Sequence, residues 1–192
     1  PYPEDSIHYV PTLEEELEKY KSVTLDDTVS IYQDLMNGVH GEVVIVGDFE
    51  TSAVMPSLET LVENWESEAA FARIPEAAQV DLPGREITIE TPDKANAVYL
   101  AGLNLAIKDG DADFAPLVMA NFILGGGSLA SRLGDRVRQQ EGLSYGIRSG
   151  FSAHPIDDRG RLTISAITNP INRTKLEKAI SEELNRWIEE GI

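Results

Sequence analysis

Residues 124–145 read Leu-Gly-Gly-Gly-Ser-Leu-Ala-Ser-Arg-Leu-Gly-Asp-Arg-Val-Arg-Gln-Gln-Glu-Gly-Leu-Ser-Tyr, and this stretch contains the boundaries of two helices and the start of a strand. Apolar periodicity predicts a helix over 111–124, which Gly125, Gly126 and Gly127 end. Apolar residues four apart predict a second helix, which a later glycine ends. We interpret the three consecutive glycines as a structural hinge at which the two helices meet at a sharp angle.

Strand signals lie on both sides of this stretch. The segments that predict strands are 43–46, 87–89, 97–105, 145–151 and 162–166. In the fourth segment, alternation places Tyr145 on one face with Ile147. The last four strands come in adjacent pairs, which favours antiparallel hairpins, and the helices must cover a face of the sheet. The predicted fold class is therefore α+β, with a mainly antiparallel sheet of about five strands and helices packed on one face.

Two short helices are predicted near the start of the chain. Thr12 and Glu15 form a capping-box pattern, and Thr24 can cap a second helix that stops at Asn37-Gly38. We interpret residues 1–22 as a linker with a short helix, and residues 23–192 as an α+β domain. The chain begins at Pro1 and stops inside an expected helix end, so we expect both ends to be truncated from a longer protein.

The charge of the chain restricts its partners. Its 192 residues carry 33 acidic and 16 basic side chains, a formal net charge of −17. Such a surface repels phosphate backbones and anionic lipids, so we expect no nucleic-acid partner and no membrane partner. Residues 1–96 have a net charge of −16 and residues 97–192 a net charge of −1. A site that needs cations should therefore lie in the second half.

Composition also restricts cofactor chemistry and leaves the compartment open. The chain has no cysteine, which excludes disulfides, thiolate zinc sites and a cysteine nucleophile. The most apolar stretch, 114–124, is too short to span a bilayer. Neither observation decides between the periplasm and the cytoplasm.

Three common site types have little support in the sequence. His8, His40 and His154 are far apart, and no pair of histidines has the i, i+4 spacing of a helical zinc site. The pattern from Gly125 to Ala130 matches a dinucleotide-binding fingerprint but follows a predicted helix, where the fingerprint needs a strand. Three serines with apolar neighbours lack the G-x-S-x-G context of a hydrolase nucleophile. These serines are Ser128, Ser144 and Ser165.

Two motifs in the opening stretch resemble a known family. The first motif is the glycine run followed by Ser131-Arg132-Leu133. The second is Arg138 seven residues before the tyrosine of Gly-Leu-Ser-Tyr145. Both motifs are similar to those of the second, non-zinc domain of the pitrilysin/insulinase-type metallopeptidases, the inverzincins. Residues 12–26 resemble the segment that joins the two domains in that family. Residues 43–49 resemble the first strand of the second domain.

The resemblance implies a companion domain without zinc. In this family a homologous domain, in the same chain or in a partner subunit, holds zinc through H-x-x-E-H, and the companion closes the chamber over a peptide substrate. The resemblance thus implies no cofactor in this segment, zinc in the partner domain, and no peptidase activity of this segment alone. It assigns substrate binding to Arg138 and Tyr145, and a catalytic role to Tyr145.

The chemistry of the pair suits these roles, although alternatives remain. A guanidinium can donate to peptide carbonyls, and a tyrosine hydroxyl can stabilise an oxyanion. In a purely structural interpretation, Arg138 pairs with Asp135 or Glu141 on the surface and Tyr145 packs in the core. At the level of function, the alternatives are an inactive scaffold subunit of the same family and a peptide-binding module without chemistry.

Overall fold

The computed structural model of the chain describes residues 2–36, 41–63, 65, 69–127 and 130–191. It divides into two units, Pro1–Arg73 and Ile74–Ile192. Asn37-Gly38, His40 and Ser128, which the sequence analysis singled out, lie outside the described residues. None of the helices in the described ranges is long and apolar enough to cross a lipid bilayer.

The described residues of the first unit form three helices, α1 (Leu13–Ser22), α2 (Leu25–Leu35) and α3 (Thr51–Val62). The capping box predicted at Thr12 is confirmed: its hydroxyl accepts from the Glu15 amide, and the Glu15 carboxylate accepts from the Thr12 amide. Thr24 and Asp27 make the same reciprocal pair at α2. Both helices therefore begin where local side-chain hydrogen bonds satisfy their first amides.

The second unit contains an antiparallel sheet in the order β1-β3-β2. Its strands are β1 (Ala97–Leu105), β2 (Ser144–Ala153) and β3 (Gly160–Thr168). The hairpin β2–β3 places β3 in the centre, and Thr168 lies opposite both Ala97 and Ser144. The start of β1, the start of β2 and the end of β3 therefore lie side by side at one end of the sheet.

Helices cover one face of this sheet. Helix α4 (Phe114–Asn121) continues as a first π-helix (Phe122–Gly126), and a second π-helix spans Gly134–Gln140. A 3₁₀ turn (Pro170–Asn172) leads into α5 (Arg173–Glu190). The buried side chains of the core come from both the helices and the sheet: Leu124, Leu133, Val137, Leu143, Ile147, Ile164, Ala166, Leu176, Ala179 and Ile180.

The opposite face of the sheet is exposed, and we call it the open face. Because successive side chains alternate between the faces, it consists of the even-numbered positions of 98–104 and 146–152 and the odd-numbered positions of 161–167. Exposure is high even at its apolar positions, with Val98 at 65%, Leu100 at 75% and Ile167 at 55%.

The α+β class with an antiparallel sheet is confirmed, but the expected five strands are not. In the described residues three strands form, whereas 43–46 and 87–89 make no strand ladder and their apolar side chains are exposed. The physical reason is that apolar runs and alternation favour an extended backbone without specifying a neighbouring strand. A strand is completed only by hydrogen bonds to such a neighbour.

The capping boxes predict how the first unit responds to acid. Hydrogen bonds from the Thr12 backbone and the Tyr9 side chain lower the pKa of Glu15, and bonds from the Thr24 side chain and backbone lower the pKa of Asp27. A carboxylate whose pKa is lower in the folded state than in the unfolded state stabilises the fold. This stabilisation is present above the unfolded-state pKa and is lost as the pH falls through the folded-state pKa. We expect α1 and α2 to lose helix content below about pH 4, as measured by NMR chemical shifts.

A matched pair of variants isolates this effect. Glu15→Gln should make the helix content of α1 much less dependent on pH in the acid range. Glu14→Gln, in the same first turn but outside the capping box, should leave most of that pH dependence in place. Identical titration curves for the two variants would contradict the assignment.

Candidate functional site

The turn after the second π-helix determines where Arg138 lies. Arg138 is in the last turn of this helix, and Gly142 follows with a φ of +60°. This left-handed conformation suits glycine because it has no Cβ to collide with the carbonyl. The Leu143 amide donates to the Val137 carbonyl at 2.9 Å and closes the helix end. The helix end after Arg138 therefore agrees with the prediction from spacing.

Two side-chain hydrogen bonds then attach the chain to the end of β3. The Thr168 hydroxyl donates to the Leu143 carbonyl at 2.5 Å, and the Ser144 hydroxyl donates to the Ile167 carbonyl at 2.7 Å. Leu143, Ser144 and Thr168 are all buried. These bonds fix the backbone immediately before Tyr145.

Tyr145 is the additional residue of a β-bulge. Ser144 lies opposite Thr168 and Gly146 lies opposite Ile167, so Tyr145 has no partner in the β2–β3 ladder. A bulge redirects the side chain of its additional residue. The prediction that Tyr145 shares a face with Ile147 is therefore wrong: Ser144 takes the inward position, and the Tyr145 side chain is 84% exposed.

The structure brings Arg138 and Tyr145 into direct contact. The Cζ atom of Arg138 lies 4.3 Å from the centroid of the Tyr145 ring. This is a cation–π contact, worth about 0.5–1 kcal/mol at an exposed site. It holds the two side chains together at the surface, at the end of the sheet where β2 begins.

Asp135 and Glu141, the carboxylates that could pair with Arg138 in a purely structural interpretation, have other partners. Asp135 accepts a hydrogen bond from Gln140 at 2.6 Å, and Glu141 pairs with Arg136 at 2.8 Å. Within the described part of the chain, Arg138 has no ion pair and Tyr145 does not enter the core. The arrangement leaves a half-buried arginine without a carboxylate partner next to an exposed tyrosine, and their roles in binding and catalysis remain predictions.

The three glycines permit close backbone packing. A Cβ on Gly125 would lie 2.7 Å from the Ser149 amide nitrogen, and one on Gly127 would lie 2.7 Å from the Phe122 carbonyl oxygen. A Cβ on Gly126 would lie 2.7 Å from the Asn121 side-chain nitrogen. The helix continues as a π-helix through Gly126 instead of stopping before Gly125. A role for these residues as a hinge stays a prediction.

A buried ion pair was missed by the sequence analysis. Glu183 on α5 is 2% exposed, and it accepts from Arg132 Nε at 2.5 Å and from Arg186 at 3.2 Å. Arg132 also donates to the Gly191 carbonyl at 2.8 Å. The arginine of the Ser-Arg-Leu motif thus joins α5 to the segment that follows the glycines. The available signal was an acid on the apolar stripe of α5, between Ile180 and Trp187.

The described histidines and serines serve local structure. His154 lies in the β2–β3 turn, where its Nδ1 accepts from the amides of Ile156 at 3.2 Å and Asp157 at 2.9 Å. The His8 ring lies against that of Tyr2, with centroids 5.1 Å apart. Ser165 is in hydrogen-bond contact with Arg148. Among the residues described, no group of three or more His, Asp or Glu side chains is arranged to hold a metal ion.

Residues 22–192 match the family model described as the peptidase M16 inactive domain. The chain belongs to this family. A structure of a peptidase M16 inactive domain from Pseudomonas fluorescens is similar, with 28% identity and a TM-score of 0.69 over 89% of this chain and 40% of that one. A protease from Helicobacter pylori has the same fold, with 18% identity and a TM-score of 0.69 over 92% of this chain and 42% of that one.

This M16 inactive domain therefore spans about two fifths of the length of the two solved structures that it resembles. No curated protein matches the chain. The resemblance drawn from the two motifs is confirmed at the level of the family.

The close approach at Gly125 predicts a large effect of one methyl group. Gly125→Ala places a Cβ against backbone atoms of β2 that cannot move independently, so we expect a loss of about 1–3 kcal/mol in unfolding free energy. Gly110→Ala is the matched control, because nothing lies within 4 Å of the added Cβ. Urea denaturation measures both variants, and equal stabilities would contradict the packing described here.

The buried pair predicts a characteristic pattern in a mutant cycle. Arg132→Met removes one of the two arginines that neutralise the buried carboxylate of Glu183, and it should destabilise the fold by about 3 kcal/mol. Adding Glu183→Leu should restore much of that loss, because no uncompensated charge remains. The pair Arg159–Glu76, whose side chains are both partly exposed, provides the control, since Arg159→Met should change stability by about 1 kcal/mol or less. Thermal unfolding that ranks Arg159→Met as the more damaging variant would refute this assignment.

Proposed function

We propose that this M16 domain is the substrate-binding companion of a zinc peptidase and closes the peptide chamber opposite a separate zinc-bearing domain. That domain belongs either to the same polypeptide or to a partner subunit. Membership of the family supports the pairing. The observation that carries the proposal is the contact between Arg138 and the outward-facing Tyr145 ring.

Tyr145 is suited to act on a developing oxyanion. Its hydroxyl is a neutral donor, and the bulge directs the side chain away from the core. A donor that is already oriented needs little reorganisation when negative charge forms on the carbonyl oxygen. We assign to Tyr145 the donation of this hydrogen bond during attack on the scissile carbonyl.

Arg138 is suited to position the peptide. Its contact with the ring of Tyr145 orients the guanidinium without a carboxylate, so its N–H groups remain available to carbonyl oxygens of an extended peptide. The same contact restrains the tyrosine ring. In this proposal the arginine binds substrate, and it also holds the catalytic hydroxyl in place.

Zinc belongs to the partner domain in this proposal. The described residues of this chain do not fit a metal site, and no step of the proposal involves a metal held by them. The role of this chain is limited to binding and orienting the peptide and to hydrogen bonding in the transition state.

A scaffold role is the second candidate, and the same contact is compatible with it. The cation–π contact would also occur in a domain where Arg138 and Tyr145 only stabilise the start of β2. In that case removal of the tyrosine hydroxyl would have no kinetic consequence, because the ring alone makes the contact.

Tyr145→Phe separates the two candidates, because it keeps the ring and removes only the hydroxyl. In the peptidase assembled with its zinc-bearing domain, we expect kcat to fall about 10²–10³-fold with an unchanged Tm. Arg138→Ala should lower activity and raise KM as well. Tyr20→Phe, at an exposed tyrosine of α1, is the control and should behave as wild type. Wild-type kcat/KM for Tyr145→Phe would remove the tyrosine from the mechanism and favour the scaffold.

A further inference from the structure

The open face of the sheet carries positive charge and no negative charge. Its twelve strand positions include two basic side chains, Arg148 and Arg161, and no Asp or Glu. In the whole chain, acidic residues outnumber basic ones by 33 to 16. This face therefore has the opposite sign to the protein that surrounds it.

The arginines of the open face also lack the partners that other arginines of this unit have. Carboxylates pair with Arg132, Arg136, Arg159, Arg173 and Arg186. Arg148 instead makes a hydrogen bond to Ser165 at 3.3 Å, and Arg161 lies across Gly102. Neither has an ion pair within the described ranges of the chain. An unpaired guanidinium at the surface is a ready donor for a carboxylate from another molecule.

The shape of the open face permits close approach by an extended chain. β2 presents Gly146 and Gly150 there, and a Cβ added to Gly146 would meet nothing within 4 Å. At the far end of the strands, the Asn104 side chain donates to the Gln79 carbonyl at 3.1 Å, so the segment around Gln79 lies against that end. The end next to Tyr145 has exposed apolar side chains at Val98 and Ile167.

From these observations we infer that the open face binds an acidic, extended segment of the peptide substrate, with its carboxylates on Arg148 and Arg161. This inference rests on the proposed function, because it continues the peptide path from the Arg138–Tyr145 pair. An extended peptide presents alternate side chains about 7 Å apart. Side chains that lie on the same face of one strand have the same spacing along that strand. Nucleic acid is a poor alternative, because the two basic side chains of the open face can neutralise only two phosphates of a continuous phosphate backbone.

Peptide binding tests the inference independently of catalysis. The full-length protein is mixed with a chelator and a fluorescein-labelled twelve-residue peptide that has Glu at every second position, and anisotropy gives Kd. The reference peptide has Gln at the same positions. We expect the Glu peptide to bind about tenfold more tightly than the Gln peptide, and the difference to shrink as salt rises.

The variant Arg148→Gln/Arg161→Gln should abolish the preference for the Glu peptide. Lys175→Gln/Lys178→Gln is the matched control, because it removes the same charge from α5, which packs on the covered face. It should keep most of the preference. Gly146→Val fills open space without changing charge, and should weaken binding of both peptides while the fold is retained.

Several results would overturn the inference. Equal affinity for the Glu and Gln peptides, or equal effects of the arginine and lysine variants, would show that the open face does not select carboxylates. Displacement of the Glu peptide by oligo-dT at equal concentration, or self-association that buries the face, would assign it to a different occupant. The proposed function is tested separately by kcat of Tyr145→Phe, so either claim can fail alone.

Discussion

The two hydrogen bonds that attach Leu143 and Ser144 to the end of β3 constrain the whole site. Once Thr168 and the Ile167 carbonyl hold these two residues, the backbone cannot shift to accommodate Tyr145 in the ladder. Tyr145 is therefore left over as the additional residue of a bulge, and its ring is directed outward. The left-handed turn at Gly142 places the helix end so that Arg138 reaches this ring.

The arginines of the second unit fall into two groups according to their carboxylate partners. Arg132 and Arg186 compensate the buried carboxylate of Glu183, which would otherwise be a large cost in free energy. Arg138, Arg148 and Arg161 have no carboxylate among the described residues, although acids outnumber bases two to one. In the first group, Arg132 joins its helical segment to α5 through Glu183. The second group comprises the arginines to which we assign contacts with a peptide.

Local features of the fold could be predicted from sequence because neighbouring residues determine them. The capping box at Thr12 and the N-cap at Thr24 are of this kind. Non-local features could not be predicted in the same way. Strand pairing for residues 43–46 depends on a distant neighbour, and no pattern in those four residues supplies one.

The site shows the same limit. The spacing of Arg138 and Tyr145 across a helix end predicted that they lie near each other, and the family motif singled them out. Their orientation was not predictable, because alternation places Tyr145 with Ile147, and only the contacts of Ser144 with β3 reveal the bulge. The buried position of Glu183 was recognisable from its place on the apolar stripe of α5. The identity of its partner, Arg132, required the tertiary fold.

The orientation of the Tyr145 ring is the claim on which the account most depends, and nuclear Overhauser effects measure it directly. In the folded chain, the aromatic protons of Tyr145 should show contacts to the Arg138 side chain and none to the methyl groups of Ile164 or Leu176, which lie in the core. Strong contacts between the Tyr145 ring and those methyl groups would place the ring inside the fold, and would contradict both the bulge and the site built on it.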